Sequence, residues 1–156
     1  MTKASNNCGL ADSVSATHDY TGTTTAGANI FVSGGEIVCG ANDGTNVVSW
    51  GNLIPGAVGV MCPWLDKSKS PWDLLNGDIE LNKGDGYLWT FNPPIDCLEH
   101  FDVESVLTHE FGHVWGLDDL DPEAHPGLTM SDEVFRCSTS LRTLGLGDIR
   151  GLEALY

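Results

Sequence analysis

His109, Glu110 and His113 stand in the order HExxH, within His109-Glu110-Phe111-Gly112-His113. On a helix a spacing of four puts two side chains on one face, one turn apart, so both imidazoles can reach a single zinc ion. Glu110 follows the first histidine and points toward the neighbouring face, where its carboxylate can take a proton from a water attacking beside the metal. Gly116 comes three residues after His113 and lets the backbone turn sharply. That turn can swing a third ligand back onto the metal, and Asp119, three residues later, supplies an oxygen that zinc accepts. His125 and Asp118 are alternatives for this third position. A carboxylate there, in place of a third imidazole, makes the attacking water somewhat less acidic.

These residues need a helix to hold them, and the sequence predicts one from about Val103 to Trp115. Asp102 is a good N-cap, Glu104 favours the positive N-terminal end, and Gly116 is a ready stop. Val103, Val106, Leu107, Phe111 and Val114 fall on one stripe, with His109 and His113 at its edge. A second, short helix is predicted from Asp148, as N-cap, to about Leu155. Upstream, Ala28–Ser33, Glu36–Cys39, Asn46–Trp50 and Val58–Cys62 are short β-branched runs bounded by glycine, which read as strands. Asp78-Ile79-Glu80-Leu81-Asn82 alternates polar and apolar residues, as a half-exposed strand does. Thr21–Gly27, Lys83-Gly84-Asp85-Gly86 and Asn92-Pro93-Pro94 read as loops. Strands first and helices later predict an α+β fold in a single domain over residues 1–156.

The extended pattern HExxHxxGxxD, residues 109–119, resembles the metzincin metallopeptidases, whose usual form ends in histidine. The aspartate variant is similar to the small secreted neutral proteases of the snapalysin type. The order of Asp78–Asn82, Trp89, and Asp102-Val103-Glu104-Ser105-Val106 before the motif resembles bacterial matrixin-like proteases, as does the ending Arg142-Thr143-Leu144, Asp148-Ile149, Gly151 and Leu155-Tyr156. This resemblance implies a metzincin-like α+β domain: a small twisted mixed sheet, an active-site helix, a tight methionine turn and a C-terminal helix. Leu128-Thr129-Met130-Ser131 matches that turn, with Met130 packed below the ligands and not binding metal. It also implies an N-terminal strand and long helix, which the sequence does not show. Glu133 is a weaker ligand candidate, since it follows His113 at the spacing thermolysin-like enzymes use. Cys8-Gly9-Leu10-Ala11-Asp12 faintly resembles a matrixin cysteine switch, but a structural disulfide is the expectation for Cys8.

Composition bounds the rest. With 22 Asp and Glu against 7 Lys and Arg, the net charge of −15 repels nucleic acid and anionic lipid, so neither partner is expected. No run is long and apolar enough to suggest a membrane span. Five cysteines, none in a CxxC pair, fit disulfides in an oxidising compartment. Cys97 and Cys137 bracket the metal-binding stretch and are candidates to pair, as are Cys39 and Cys62, though sequence does not fix the connectivity. Targeting segments are expected to have been removed. Asp43-Gly44, Asp85-Gly86 and Asp118–Glu123 offer oxygens to structural calcium, without any EF-hand pattern.

The function these observations lead one to expect is a secreted, monomeric zinc endopeptidase acting on proteins or peptides, with Glu110 as general base and His109, His113 and Asp119 on the metal. An extended substrate is expected to pair with an exposed strand edge, for which Asp78–Asn82 is the candidate. The other classes are a zinc-containing binding or adhesion module without turnover, and a disulfide-rich structural domain without metal.

Overall fold

The computed structural model describes residues 6–10, 19–69 and 73–156. It is a small mixed α+β protein with two α-helices and three small sheets among the described residues. Contacts divide it into two compact units, Thr21–Tyr87 and Leu88–Tyr156, the second including the N-terminal residues up to Tyr20.

The unit Thr21–Tyr87 is all β. Strand β1 (Ile30–Ser33) pairs antiparallel with β2 (Glu36–Cys39) through Gly34-Gly35. Both glycines have positive φ, 63° and 84°, which a two-residue turn of this twist needs. Strands β3 (Val48–Gly51), β4 (Gly59–Asp66) and β5 (Asp73–Asn82) form a mixed sheet in the order β3-β5-β4. Ile30, Leu53 and Cys62 make its apolar cluster, and Cys39 is bonded to Cys62.

Two expectations about Asp78–Asn82 are overturned. The segment is not an edge: β5 is the central strand, parallel to β3 along Ile79–Asn82 and antiparallel to β4 up to Leu81. It is not half-exposed either, since every residue from Asn76 to Asn82 is buried. The polar face is buried because loop backbone satisfies it. The Asp78 carboxylate accepts the N–H groups of Asn29 at 2.6 Å and Val47 at 2.9 Å. Asn82 accepts from Gly84 at 2.9 Å and donates to the Ala57 carbonyl at 2.8 Å. A substrate strand therefore has no free hydrogen-bonding row along β5.

In the unit Leu88–Tyr156, β6 (Leu88–Thr90) lies parallel to β7 (His100–Asp102), which leads directly into helix α1 (Val103–Val114). The α1 bounds agree with the sequence, and Asp102 caps it by accepting the Ser105 N–H at 2.9 Å. A 3-10 turn, Ser140–Arg142, precedes helix α2 (Leu146–Leu155). Leu144, Ile149 and Leu152 form a core cluster against Leu10, Trp115 and Leu117. Cys97 is bonded to Cys137. Cys8 is a free thiol packed on that same cluster, contrary to the disulfide expected of it, and its Sγ lies 3.2 Å from the Asn6 side-chain oxygen.

Arg142 ties the 3-10 turn to the start of α1. Its guanidinium grips the fully buried Asp102 with two bonds, 2.8 Å and 2.6 Å, and reaches Glu104 at 3.0 Å. Burial works to raise the Asp102 carboxyl, but the donors from Arg142 and Ser105 outweigh it and hold the group below its ordinary range. The folded-state value is thus the depressed one, so the pair stabilises the fold above about pH 4 and the contribution is lost as pH falls through the folded value. Asp102→Asn is expected to cost about 1–2 kcal/mol at neutral pH and to shrink the acid limb of a stability–pH profile from urea melts. An acid limb identical to the unmodified protein's would contradict this.

Candidate metal centre

Helix α1 delivers two of the three converging side chains. His109 and His113 stand one turn apart with their Nε2 atoms 3.2 Å from each other. The helix then stops in a Schellman arrangement: Gly116 takes φ 86°, its N–H bonds the His113 carbonyl at 2.9 Å, and the Leu117 N–H bonds the Gly112 carbonyl at 3.0 Å. This reversal brings Asp119 back over the helix, with its Oδ1 at 3.2 Å from His109 Nε2 and 3.3 Å from His113 Nε2. Among the described residues this is the group whose ligand atoms converge, all lying within 4.8 Å of one another. Asp118, His125 and Glu133 do not belong to it, and no acidic loop gathers a comparable set for calcium.

Each imidazole is oriented through its other nitrogen. His109 Nδ1 lies 2.8 Å from the Thr129 carbonyl, and His113 Nδ1 lies 2.9 Å from the Leu117 carbonyl. A ring that donates from Nδ1 presents a bare Nε2 lone pair, the form a metal ion takes. Burial lowers the pKa of His109 and keeps that ring neutral. Two lone pairs and a carboxylate oxygen then face one another without a proton between them, which is unfavourable unless a cation lies at their centre. Ligands around a tetrahedral ion with bonds of about 2.0 Å sit about 3.3 Å apart. The observed 3.2 to 3.3 Å separations fit that edge and exceed the usual length of a charge-assisted hydrogen bond.

No protein-family model matches the chain, and neither a curated protein nor a solved structure does. The centre stands on its own geometry.

Glu110 is 5 % exposed and has no hydrogen-bond partner among the described residues. Burial, then the charges of Asp119 and Asp132, push its carboxyl up to about 8, and a divalent cation beside it acts in the opposite direction. Asp132 was not singled out by its sequence context. It reaches the site because Leu120 and Ser131 form a parallel bridge: the Leu120 N–H bonds the Met130 carbonyl at 2.8 Å, and the Asp132 N–H bonds the Leu120 carbonyl at 3.0 Å.

Beneath the ligands, Leu128–Ser131 is a turn closed by the Ser131 N–H on the Leu128 carbonyl at 3.2 Å. Met130, 1 % exposed, lies so close below α1 that a Cβ on Gly112 would fall 2.1 Å from its Sδ. Asp148 fixes this turn. The sequence marks it as the α2 N-cap, but that place belongs to Gly145, and Asp148 stands in the first turn. Its carboxylate accepts the Gly145 and Thr129 N–H groups, each at 2.8 Å, and the Met130 N–H at 3.2 Å.

The contact between Gly112 and Met130 predicts a coupled pair. Gly112→Ala gains helix propensity of about 1 kcal/mol but forces Met130 aside, which costs about 1–3 kcal/mol. In a Met130→Ala background the same substitution is expected to be neutral or stabilising. Equal effects in both backgrounds, measured by denaturant unfolding, would contradict the contact.

Proposed function

We propose that the chain is a zinc-dependent endopeptidase of metzincin type, acting outside the cell. The observation that carries this reading is the tetrahedral spacing of His109, His113 and Asp119 with the buried, unpartnered Glu110 beside them. Two nitrogens and a carboxylate oxygen suit zinc, and three protein ligands leave a fourth position for chemistry. Bound zinc supplies a Lewis acid for the scissile carbonyl and for the attacking water. Glu110 then takes the proton from that water and passes it to the leaving amine. Thr129 and Leu117 hold the imidazoles through their carbonyls, and Met130 supports the helix from below. The two disulfides fit an oxidising compartment, and no helix among the described residues is long and apolar enough to cross a membrane.

Incubation with an unstructured protein such as casein tests the reading. Internal cleavage is expected, lost with a chelator and restored by stoichiometric zinc. A protein that binds zinc and cuts nothing belongs instead with metal-containing binding modules.

A further inference from the structure

From Val103 to Phe135 the chain carries eight Asp and Glu and no Lys or Arg. The Leu120–Ser131 bridge sets two acidic runs side by side, Asp118-Asp119-Leu120-Asp121 and Ser131-Asp132-Glu133. Every carboxylate in these two runs is on an exposed residue. The three arginines of this unit are committed elsewhere. Arg136 lies 4.3 Å over the Phe101 ring and bonds the Glu99 carbonyl, Arg142 grips Asp102, and Arg150 pairs with Glu153 at 2.6 Å. The rim of the metal centre is therefore negative and has no internal counterion.

A second observation points into the same place. Glu110 is buried and unpartnered, and the charges of Asp119 and Asp132 both act on it, so these carboxylates face one another. Metal uptake by His109, His113 and Asp119 consumes the charge of Asp119 and leaves Asp132, with Glu133 beside it, available to a ligand.

We propose that the site selects cationic polypeptides, seating a lysine or arginine side chain within one or two residues of the reacting bond against Asp132 and Glu133. This rests on the endopeptidase reading and names its substrate class. A negative cleft draws in cationic chains by long-range attraction, and the ion pairs formed at its rim add selectivity. A glutamate in the same position meets repulsion from the same two carboxylates.

The test uses three peptides that differ at one position, Lys, Gln or Glu, with binding to the zinc-loaded chain read by fluorescence anisotropy and cleavage read separately. The lysine peptide is expected to bind about tenfold more tightly than the glutamine peptide, and the glutamate peptide more weakly still. The order is expected to compress in about 0.5 M salt, and Asp132→Asn to narrow the Lys-to-Gln ratio about threefold. Equal affinity for the three peptides, or no binding, overturns the inference whether or not cleavage occurs. A preference that survives both Asp132→Asn and Glu133→Gln places the cation elsewhere and overturns it too. Lysine-selective binding without any cleavage upholds the cationic ligand and overturns the endopeptidase reading.

Discussion

Replacing Glu110 with glutamine is expected to slow peptide hydrolysis by about a hundredfold to ten-thousandfold while the metal stays bound. Glu110 is outside the set of converging ligand atoms, so the change touches no ligand. Glutamine has nearly the same shape and sits in the same buried place on α1, but its amide cannot take a proton from an attacking water. Stability should not suffer, because the substitution replaces a buried carboxylate that has no hydrogen-bond partner with a neutral group. Turnover of a fluorogenic peptide, with metal content determined on the same sample, separates the outcomes. Loss of turnover with about one zinc retained per chain is the expected result; turnover within a few-fold of the unmodified protein would remove Glu110 from the chemistry.

Asp148→Ala is expected to cost about 3–5 kcal/mol of stability, among the largest effects of any single substitution in this chain. Asp148 is 2 % exposed, and its carboxylate serves three backbone N–H groups, those of Thr129, Met130 and Gly145. Alanine leaves all three donors without an acceptor, and each buried orphan costs about 1–3 kcal/mol. Asp148→Asn keeps one oxygen but turns an NH2 group toward a donor, so it should fall between the two. The effect reaches the metal centre, since the Thr129 carbonyl orients His109. Zinc affinity is expected to drop about ten- to a hundredfold in whatever fraction remains folded, as for other groups that hold a ligand in place. Urea melts and a zinc competition assay read the two parts. A loss below about 1 kcal/mol would show that the turn does not depend on this carboxylate.

What was legible in the sequence was local. Helix α1, its Asp102 cap and its stop at Gly116 follow from side chains within a few residues of one another, so they read directly from the chain. The HExxH spacing and the return of Asp119 share that property, because the Schellman turn is itself a short-range structure. The partners of the site were not legible, since they are main-chain groups or residues distant in sequence. Thr129 holds His109 through a carbonyl that any residue would supply, and Asp148 acts across 19 positions. The β5 pattern misled for the same reason. Alternation reads as one wet face, but Asp78 and Asn82 spend their hydrogen bonds on loops remote in sequence, so both faces are dry. Strands β6 and β7 span three residues each, too few to show a period.

The most direct test of the metal centre is calorimetric titration of zinc into the metal-free protein and its His113→Ala and Asp119→Ala variants. One tight site per chain is expected, abolished by His113→Ala and weakened severalfold or more by Asp119→Ala, with His125→Ala and Glu133→Ala indistinguishable from the unmodified protein. No stoichiometric binding, or binding that survives loss of His113 and Asp119 unchanged, would contradict the account.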